Sequence, residues 1–321
     1  MRPVVIAHRG ASGHLPEHTF PAKALAYAMG ADYLEQDVVA TRDDALVVLH
    51  DIHLDRVTDV AHVFPGRERS DGRYYVRDFD LAEIRRLKVH ERTNADGSLV
   101  YPQRFGASGE VFRIQTFAEE LEFVRSLQAA HGRGVGIYPE IKRPEWHRVE
   151  GVDITPEFLR TLGDYGYLEH SDPVYVQCFD AEELRRIRHT LGCRLKLVQL
   201  IGENAWGESS TNYTSLRSRR GLERLAKTVD GIGPWMQRAY RIRRRDGQVR
   251  STGLVERAHA AGLAVHPYTF RSDELPQGFS SFDKLLAFAT GTLAIDGLFT
   301  DFPDQVLKFL RRISGPTSSN P

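Results

Sequence analysis

Residues 174–200 read Val-Tyr-Val-Gln-Cys-Phe-Asp-Ala-Glu-Glu-Leu-Arg-Arg-Ile-Arg-His-Thr-Leu-Gly-Cys-Arg-Leu-Lys-Leu-Val-Gln-Leu, which is a strand, helix and strand pattern in succession. The runs Val174–Cys178 and Leu195–Leu200 are short and rich in Val and Leu, as is typical of buried parallel strands. Between them, Asp180 followed by Glu183 forms a capping-box pattern that predicts the N-terminus of a helix. The segment therefore predicts two parallel strands joined by a crossover helix.

The same alternation extends over most of the 321-residue chain. Apolar runs predict strands at nine places: 4–7, 33–38, 46–49, 135–140, 174–178, 195–200, 229–232, 263–266 and 297–300. Alternating strands and helices imply a parallel sheet, and about eight such units favour a closed barrel over an open doubly wound sheet. We therefore predict an α/β fold, a (β/α)8 TIM barrel that forms a single catalytic domain over residues 1–313.

The ninth run is explained by a hairpin between the second and third runs. The connection from Val39 to Leu46 is too short for a crossover helix, so we expect these strands to turn at Arg42-Asp43. That register would pair Glu35 with His50 across the hairpin.

Residues 52–112 interrupt the alternation after the third strand and are called the inserted segment below. We expect a small insertion domain that lies over the catalytic mouth of the barrel, because loops at that end of barrels carry function. The alternative is a solvated excursion without contact to substrate. The tail 314–321 is predicted to be disordered.

Composition excludes several classes of partner. The chain carries 43 basic and 43 acidic residues, so it has no general attraction for nucleic acid or for an anionic membrane. The two cysteines, Cys178 and Cys193, lie in no metal-ligand spacing. No run approaches the roughly 20 apolar residues that cross a bilayer, so we expect no stable membrane insertion and a small-molecule partner. Oligomeric state stays open.

The first residues do not have the pattern of a signal peptide, because charged residues follow too soon. As the sequence stands, we expect a cytoplasmic protein. A removed leader would instead make it periplasmic.

Polar side chains end the first and third predicted strands. His8-Arg9-Gly10 follows the first strand and supplies a proton-transfer group and a bidentate anion binder. His50 ends the third strand in the same way. Alone, either histidine is more often a packed or surface residue. Together they could serve as the base and the acid of phosphodiester cleavage.

Three acids and a lysine are expected inside the barrel near its mouth. Glu35 and Asp37 are two residues apart on one strand and so share a face, as do Glu140 and Lys142 on another. Carboxylate oxygens suit Ca²⁺ or Mg²⁺. The alternative is a salt-bridge network that closes the barrel.

The chain resembles the glycerophosphodiester phosphodiesterase family, most closely its bacterial periplasmic-type branch with the long insertion. Matching motifs run from the first strand to the last: His8-Arg-Gly-Ala-Ser-Gly-His-Leu-Pro-Glu17-His-Thr, Gly30-Ala-Asp-Tyr-Leu-Glu35-Gln-Asp37, Leu46-Val-Val-Leu-His50-Asp51, Gly136-Ile-Tyr-Pro-Glu140-Ile-Lys142 and Gly297-Leu-Phe-Thr-Asp-Phe-Pro303. The resemblance implies a TIM-barrel hydrolase that converts glycerophosphocholine, glycerophosphoethanolamine and similar diesters to glycerol 3-phosphate and an alcohol.

The resemblance also implies roles for particular residues. His8 and His50 would be the acid–base pair, with His8 suggested as base by related barrels. The other implied roles are divalent-metal ligands, usually for Ca²⁺ in this branch (Glu35, Asp37 and Glu140), phosphate binding (Arg9 and Lys142) and orientation of a ligand (Glu17).

Other functions remain as alternatives. One is a phospholipase D-like or phosphatidylinositol phospholipase C-like barrel acting on intact lipids, which an exposed apolar rim would favour. Another is a non-catalytic phosphodiester-binding module, although both histidines and all three acids are present. An isomerase on a similar barrel would not need two histidines at strand ends.

A basic loop is also expected at residues 238–250, where six arginines follow Gly-Pro-Trp. We favour a solvated loop there over a surface that attracts anionic substrates or lipid headgroups.

Overall fold

The computed structural model describes residues 2–106 and 111–314. Its strands are β1 (Val4–Ala7), β2 (Tyr33–Ala40), β3 (Leu46–Val48), β4 (Gly136–Ile141), β5 (Tyr175–Cys178), β6 (Lys196–Ile201), β7 (Gly231–Pro234), β8 (Tyr240–Ile242), β9 (Val249–Ser251), β10 (Ala264–Val265) and β11 (Gly297–Thr300).

Eight parallel strands form a nearly closed barrel, as predicted. Their order is β10-β7-β6-β5-β4-β2-β1-β11. The two ends of this order meet after β10, where the Phe270 N–H donates to the Phe299 carbonyl at 2.8 Å. Phe270 also forms a parallel bridge with Thr300. The fold is therefore the TIM barrel that the strand and helix alternation indicated.

Helices connect and flank these strands. They are α1 (Phe20–Met29), α2 (Val60–Val63), α3 (Leu81–Ile84), α4 (Phe117–His131), α5 (Pro144–Val149), α6 (Ile154–Asp164), α7 (Ala181–His189), α8 (Tyr213–Leu216), α9 (Arg219–Leu225), α10 (Leu254–Ala260), α11 (Phe282–Ala287) and α12 (Pro303–Ile313). At the start of α7, the Asp180 side chain accepts from the N–H groups of Glu182 and Glu183, which confirms the predicted N-terminus. None of the helices in the described ranges is long and apolar enough to cross a bilayer.

The hairpin of β2 and β3 is present, but its predicted register is wrong by one residue. Val38 pairs with Val48, so Glu35 and His50 are not cross-strand partners. The turn is longer than expected, because the Thr41 N–H donates to the Ala45 carbonyl across three intervening residues.

The basic segment is not a simple loop, since β8 and β9 form a separate antiparallel hairpin within it. Sequence alone did not predict these two short strands. Two of its arginines pair with acids, Arg238 with Glu203 and Arg243 with Asp246.

The inserted segment carries α2, α3 and a 3₁₀ turn at Val76–Asp78. Its apolar side chains form a separate cluster. This cluster also contains Val39 and Val47 of the β2–β3 hairpin, and Leu49, which follows the hairpin. The cluster includes Leu54, Val57, Val60, Val76, Phe79, Ile84, Leu87 and Val89. Of the tail predicted to be disordered, only Ser314 is within the described residues.

Aromatic rings fill the amino-terminal half of the barrel interior. Tyr138 contacts Tyr175 at 5.0 Å and Phe299 at 4.9 Å between ring centroids. Its hydroxyl lies 2.8 Å from Nδ1 of His266. Side chains two residues apart share a face, so Glu140 lies on the same inner face as Tyr138, nearer the carboxyl end of β4. The interior thus changes from aromatic to acidic toward the mouth.

Acid should destabilise the protein partly through His147. This buried imidazole accepts from the Ala40 N–H at 3.1 Å and donates to the Arg143 carbonyl at 3.0 Å. Burial lowers its pKa to about 4, from an unfolded value of 6.5. The stabilisation from its neutral form is therefore complete above pH 6.5 and is lost as the pH falls toward 4.

We expect the free energy of unfolding of His147→Gln to fall less steeply over this range than that of the parent, by up to about 1.4 kcal/mol per pH unit. Urea titrations at several pH values measure how the free energy of unfolding changes with pH in the variant and in the parent. The other buried histidines are present in both proteins, so their contribution cancels in the comparison. Equal slopes would contradict the assignment.

Candidate active site

Three carboxylates meet at the carboxyl ends of β2 and β4. The parallel register places Asp37 directly beside Glu140, and Glu35 lies on the same face of β2. One oxygen from each lies within 4.8 Å of the others, and all three side chains are buried. Burial and the neighbouring charge of Asp37 raise the pKa of Glu35 to about 8. Burial also raises the pKa of Glu140 well above its ordinary value. The cluster is therefore short of positive charge.

The cluster has the chemistry of a cation site. Oδ1 of Asp37 is buried and has no hydrogen-bond partner. Hard oxygen donors around a charge-deficient centre suit a divalent ion. Within the described ranges, these are the three acidic side chains grouped closely enough to hold one. The residues present fit a divalent cation.

His8 is oriented by a carboxylate at the end of β11. Its Nδ1 lies 2.6 Å from Oδ1 of Asp301, and its Nε2 lies 4.0 Å from Oε2 of Glu35. Burial opposes ionisation of Asp301, but Arg271 and other cations hold its pKa well below the ordinary value. The carboxylate therefore accepts from Nδ1. Burial, together with Arg9, lowers the pKa of His8 to about 4. Its Nε2 is consequently a free base at neutral pH.

The second predicted histidine, His50, is also held by a carboxylate at Nδ1. Its Nδ1 lies 2.6 Å from Oδ1 of Asp51. Burial, Arg9 and Lys142 lower the pKa of His50 to about 3. His8 and His50 line one cavity of about 500 Å³, together with the three acids. Two imidazoles with carboxylate-bound Nδ1 atoms thus face a shared space.

The two basic side chains predicted for the site, Arg9 and Lys142, lie beside the three acids. Nε of Arg9 lies 3.7 Å from Asp37, and its backbone N–H donates to Glu35 at 2.7 Å. Nζ of Lys142 lies 2.9 Å from Glu140 and 3.9 Å from Asp37. Arg9 lines the cavity, where an anionic ligand would meet its charge, and Lys142 contacts two of the acids that line it.

Glu17 contacts cations rather than the acid cluster. Its carboxylate accepts from Nη1 of Arg9 at 2.9 Å and from Nη2 of Arg92 at 2.6 Å. It therefore orients the arginine at the cavity. All eight residues predicted for the site are within this connected set.

Sequence reasoning missed the residues that hold the predicted ones. Asp51 and Asp301 bind the two histidines, and their positions directly after His50 and after the last strand were the available signals. Sequence reasoning also gave no role to His18, although it lies in the first matching motif, and its Nε2 lies 2.7 Å from Asp37. Nor did it assign Gln177, which donates to Glu35 at 3.1 Å, or Arg92, which binds Glu17.

One part of the remaining cavity wall is polar and includes Gln237, Thr269 and Gln277. Another part is apolar and aromatic. It contains Phe179, Leu200, Trp206, Trp235, Met236 and Tyr268. Trp206 and Trp235 pack edge to face with centroids 5.1 Å apart. The cavity thus has a charged end and an aromatic side, which suits an anion bearing an organic group.

A TIM barrel with two carboxylate-bound histidines, paired cations and an acidic cluster at its mouth is typical of phosphoric diester hydrolases. Residues 8–305 match the model of the glycerophosphoryl diester phosphodiesterase family. The chain belongs to this family, and it is an enzyme that hydrolyses glycerophosphodiesters.

Known proteins are similar to this chain, in sequence or in fold, along nearly its whole length. A glycerophosphodiester phosphodiesterase of Haemophilus influenzae is 43% identical over 97% of this chain and 90% of its own length. One of Treponema pallidum is 38% identical over 96% of this chain and 91% of its own. An Oleispira antarctica phosphodiesterase, solved with the product sn-glycerol-3-phosphate, shares the fold with a TM-score of 0.61 at 21% identity, over 96% of this chain and 97% of that one.

We expect Glu17→Gln to lower the free energy of unfolding by about 3–5 kcal/mol, because two nearly buried guanidinium groups lose the anion that they share. Urea unfolding measures the change. Glu122→Gln removes the exposed ion pair with Arg125 and is the matched control, expected to cost at most about 1 kcal/mol. Equal small losses in both variants would contradict a structural role for Glu17.

Proposed function

We propose that the chain cleaves glycerophosphocholine, glycerophosphoethanolamine and similar diesters to glycerol 3-phosphate and an alcohol, with two-histidine catalysis and a divalent cation. The observation that carries this proposal is the pair His8 and His50, each held at Nδ1 and facing one cavity with three carboxylates. Such a pair supplies the base and the acid that displacement at phosphorus needs.

Glu35, Asp37 and Glu140 would hold the cation, for which Ca²⁺ is our first choice and Mg²⁺ the second. The ion would neutralise charge on the phosphoryl oxygens. The Oδ1 of Asp37, which has no hydrogen-bond partner, and the raised pKa of Glu35 support this assignment. A bound cation would offset the repulsion among the three acids.

Arg9 and Lys142 would bind the nonbridging phosphoryl oxygens. Both cations contact acids of the cluster, so they can share charge between the phosphate and the protein. The bound anion would also counter the cations that lower the pKa of His50. Substrate binding would therefore favour the protonated form of this imidazole.

His8 would then take a proton through Nε2 from the attacking oxygen, either of water or of a glycerol hydroxyl of the substrate. A bond from that oxygen to phosphorus forms as the bond from phosphorus to the alcohol oxygen breaks. His50 would give its proton to the departing alcohol. Attack by the hydroxyl would give a cyclic phosphate, which water then opens.

The aromatic wall suits the alcohol part of the substrate. Trp206, Trp235 and Phe179 border the cavity. Quaternary ammonium groups bind aromatic faces, so choline would be accepted there. Two of the cavity residues, Trp206 and Leu275, are large apolar side chains exposed to solvent. They form a narrow apolar rim. This favours small diesters over intact lipids.

Removing divalent ions should abolish activity. We expect EDTA to stop release of glycerol 3-phosphate and choline from glycerophosphocholine, and Ca²⁺ to restore it, with Mg²⁺ tested in parallel. The two products are assayed separately, since choline phosphate would mean cleavage on the other side of phosphorus.

Binding should also be visible without catalysis. Ca²⁺ at 100 times its dissociation constant stabilises the folded state by about 2.7 kcal/mol, so the Tm should rise. The Tm of Asp37→Asn should not respond. A response equal to that of the parent, or undiminished activity in EDTA, would contradict the cation site.

His8→Ala and His50→Ala should each lower kcat by about 10²–10⁴-fold, because each removes one proton-transfer group. The control is His62→Ala, which alters an exposed histidine of the inserted segment and should keep full activity. Tm measurements show whether each variant is folded. Full activity in both site variants would rule out the proposed mechanism.

A further inference from the structure

The inserted segment reaches the carboxylate that holds His8. Nη2 of Arg104 donates to Oδ2 of Asp301 at 2.7 Å, while the other oxygen of Asp301 binds Nδ1 of His8. The Arg104 side chain is only 4% exposed. Its Nε donates to Asp273 at 2.7 Å, and its guanidinium carbon lies 3.7 Å from the centroid of the Tyr101 ring. Arg104 is therefore held on several sides.

A second arginine of the same segment reaches the carboxylate that holds His50. Nη1 of Arg92 donates to Oδ2 of Asp51 at 2.6 Å, while Oδ1 of Asp51 binds Nδ1 of His50. The remaining nitrogens of Arg92 bind Glu17 at 2.6 and 3.0 Å. Glu17 in turn binds Arg9.

The same chain of contacts thus occurs twice, from guanidinium to carboxylate to imidazole. A carboxylate that accepts from both a guanidinium and an imidazole has a defined orientation and stays ionised. Such partners fix the ring orientation and the tautomer of the histidine that they hold. The two arginines belong to the inserted segment, whereas His8 follows β1 and His50 follows the β2–β3 hairpin.

We propose that Arg104 and Arg92 are positioning residues, through which the inserted segment sets the orientation of His8 and His50. The inference rests on the proposed function of the two histidines. It assigns to the inserted segment an indirect part in catalysis, through the orientation of the two histidines, in addition to any cover that it gives to the mouth of the barrel.

The two chains of contacts differ in one respect. Nε of Arg271 also donates to Oδ2 of Asp301, at 2.6 Å, so this carboxylate keeps one guanidinium when Arg104 is changed. Loss of Arg92 also removes one of the two arginines that hold Glu17, and Glu17 in turn orients Arg9. Changes at Arg104 should therefore affect kcat alone, whereas changes at Arg92 should affect both kcat and KM.

The test measures kcat, KM and Tm for Arg104→Gln, Arg104→Lys and Arg92→Gln. We expect kcat of Arg104→Gln to fall about 10–100-fold with KM changed less than about twofold. Arg104→Lys should recover part of kcat, because an ammonium can still donate to Asp301. The matched control is Arg73→Gln, in which another arginine of the segment loses its bond to Asp55, and kcat should be unchanged.

A double-variant comparison separates positioning from simple anchoring. In an Asp301→Asn background, adding Arg104→Gln should cost kcat less than about twofold, because the shared intermediary is already altered. An equal loss with and without Asp301→Asn would overturn the proposal. So would a kcat of Arg104→Gln equal to that of the parent.

The result also separates this inference from the proposed function. Full activity of His8→Ala would reject the catalytic role of that histidine itself. A strongly reduced kcat of His8→Ala combined with normal kinetics of Arg104→Gln and Arg92→Gln would overturn only the positioning role.

Discussion

Mutual repulsion of three buried carboxylates is the constraint on which the rest of the site depends. Parallel pairing of β2 with β4 brings Asp37 beside Glu140, and the two-residue repeat of a strand turns Glu35 to the same interior. Burial, and to a lesser extent the charge of Asp37, raises the pKa values of Glu35 and Glu140, so ionising all three acids together is unfavourable. Buried charges must be paired, so the surrounding cations and the proposed metal ion answer the same need.

The barrel makes this concentration of charge tolerable by dividing its interior. Tyr138, Tyr175 and Phe299 pack the amino-terminal half and bury apolar area. The carboxyl-terminal half can then hold polar groups without loss of the packed core. In this environment of low dielectric constant each charge interaction is stronger than in water. Burial in the same environment lowers the pKa values of His8 and His50.

The inserted segment is joined to this centre through charge rather than through apolar packing. Its own apolar cluster lies against the β2–β3 hairpin, whereas Arg92 and Arg104 extend to Asp51 and Asp301, the acids that bind the two histidines. A segment that looked like an interruption of the strand and helix pattern therefore supplies groups to the site. Its arginines are held by acids from several distant parts of the chain, so no local pattern could identify them.

Local sequence was sufficient for most of the fold and for naming side chains that the structure gathers at the candidate active site. Apolar runs such as Val4–Ala7 and Gly297–Thr300 have one favourable environment, between helices and the barrel interior, so their strands were predictable. His8 was identifiable because it directly follows an apolar strand, and Glu35 because it shares a strand face with Asp37. The class of enzyme followed from the motifs that carry them.

Other features depended on distant parts of the chain. The hairpin register differed because the hydrogen bond from Thr41 to Ala45 chose a longer turn than the two-residue one expected. The partners Asp301 and Arg104 could not be paired from sequence, since they are 197 residues apart. Residue types and strand periodicity determined which groups enter the barrel. Tertiary structure decided which groups hold one another, because hydrogen bonds depend on distances that only the closed barrel sets.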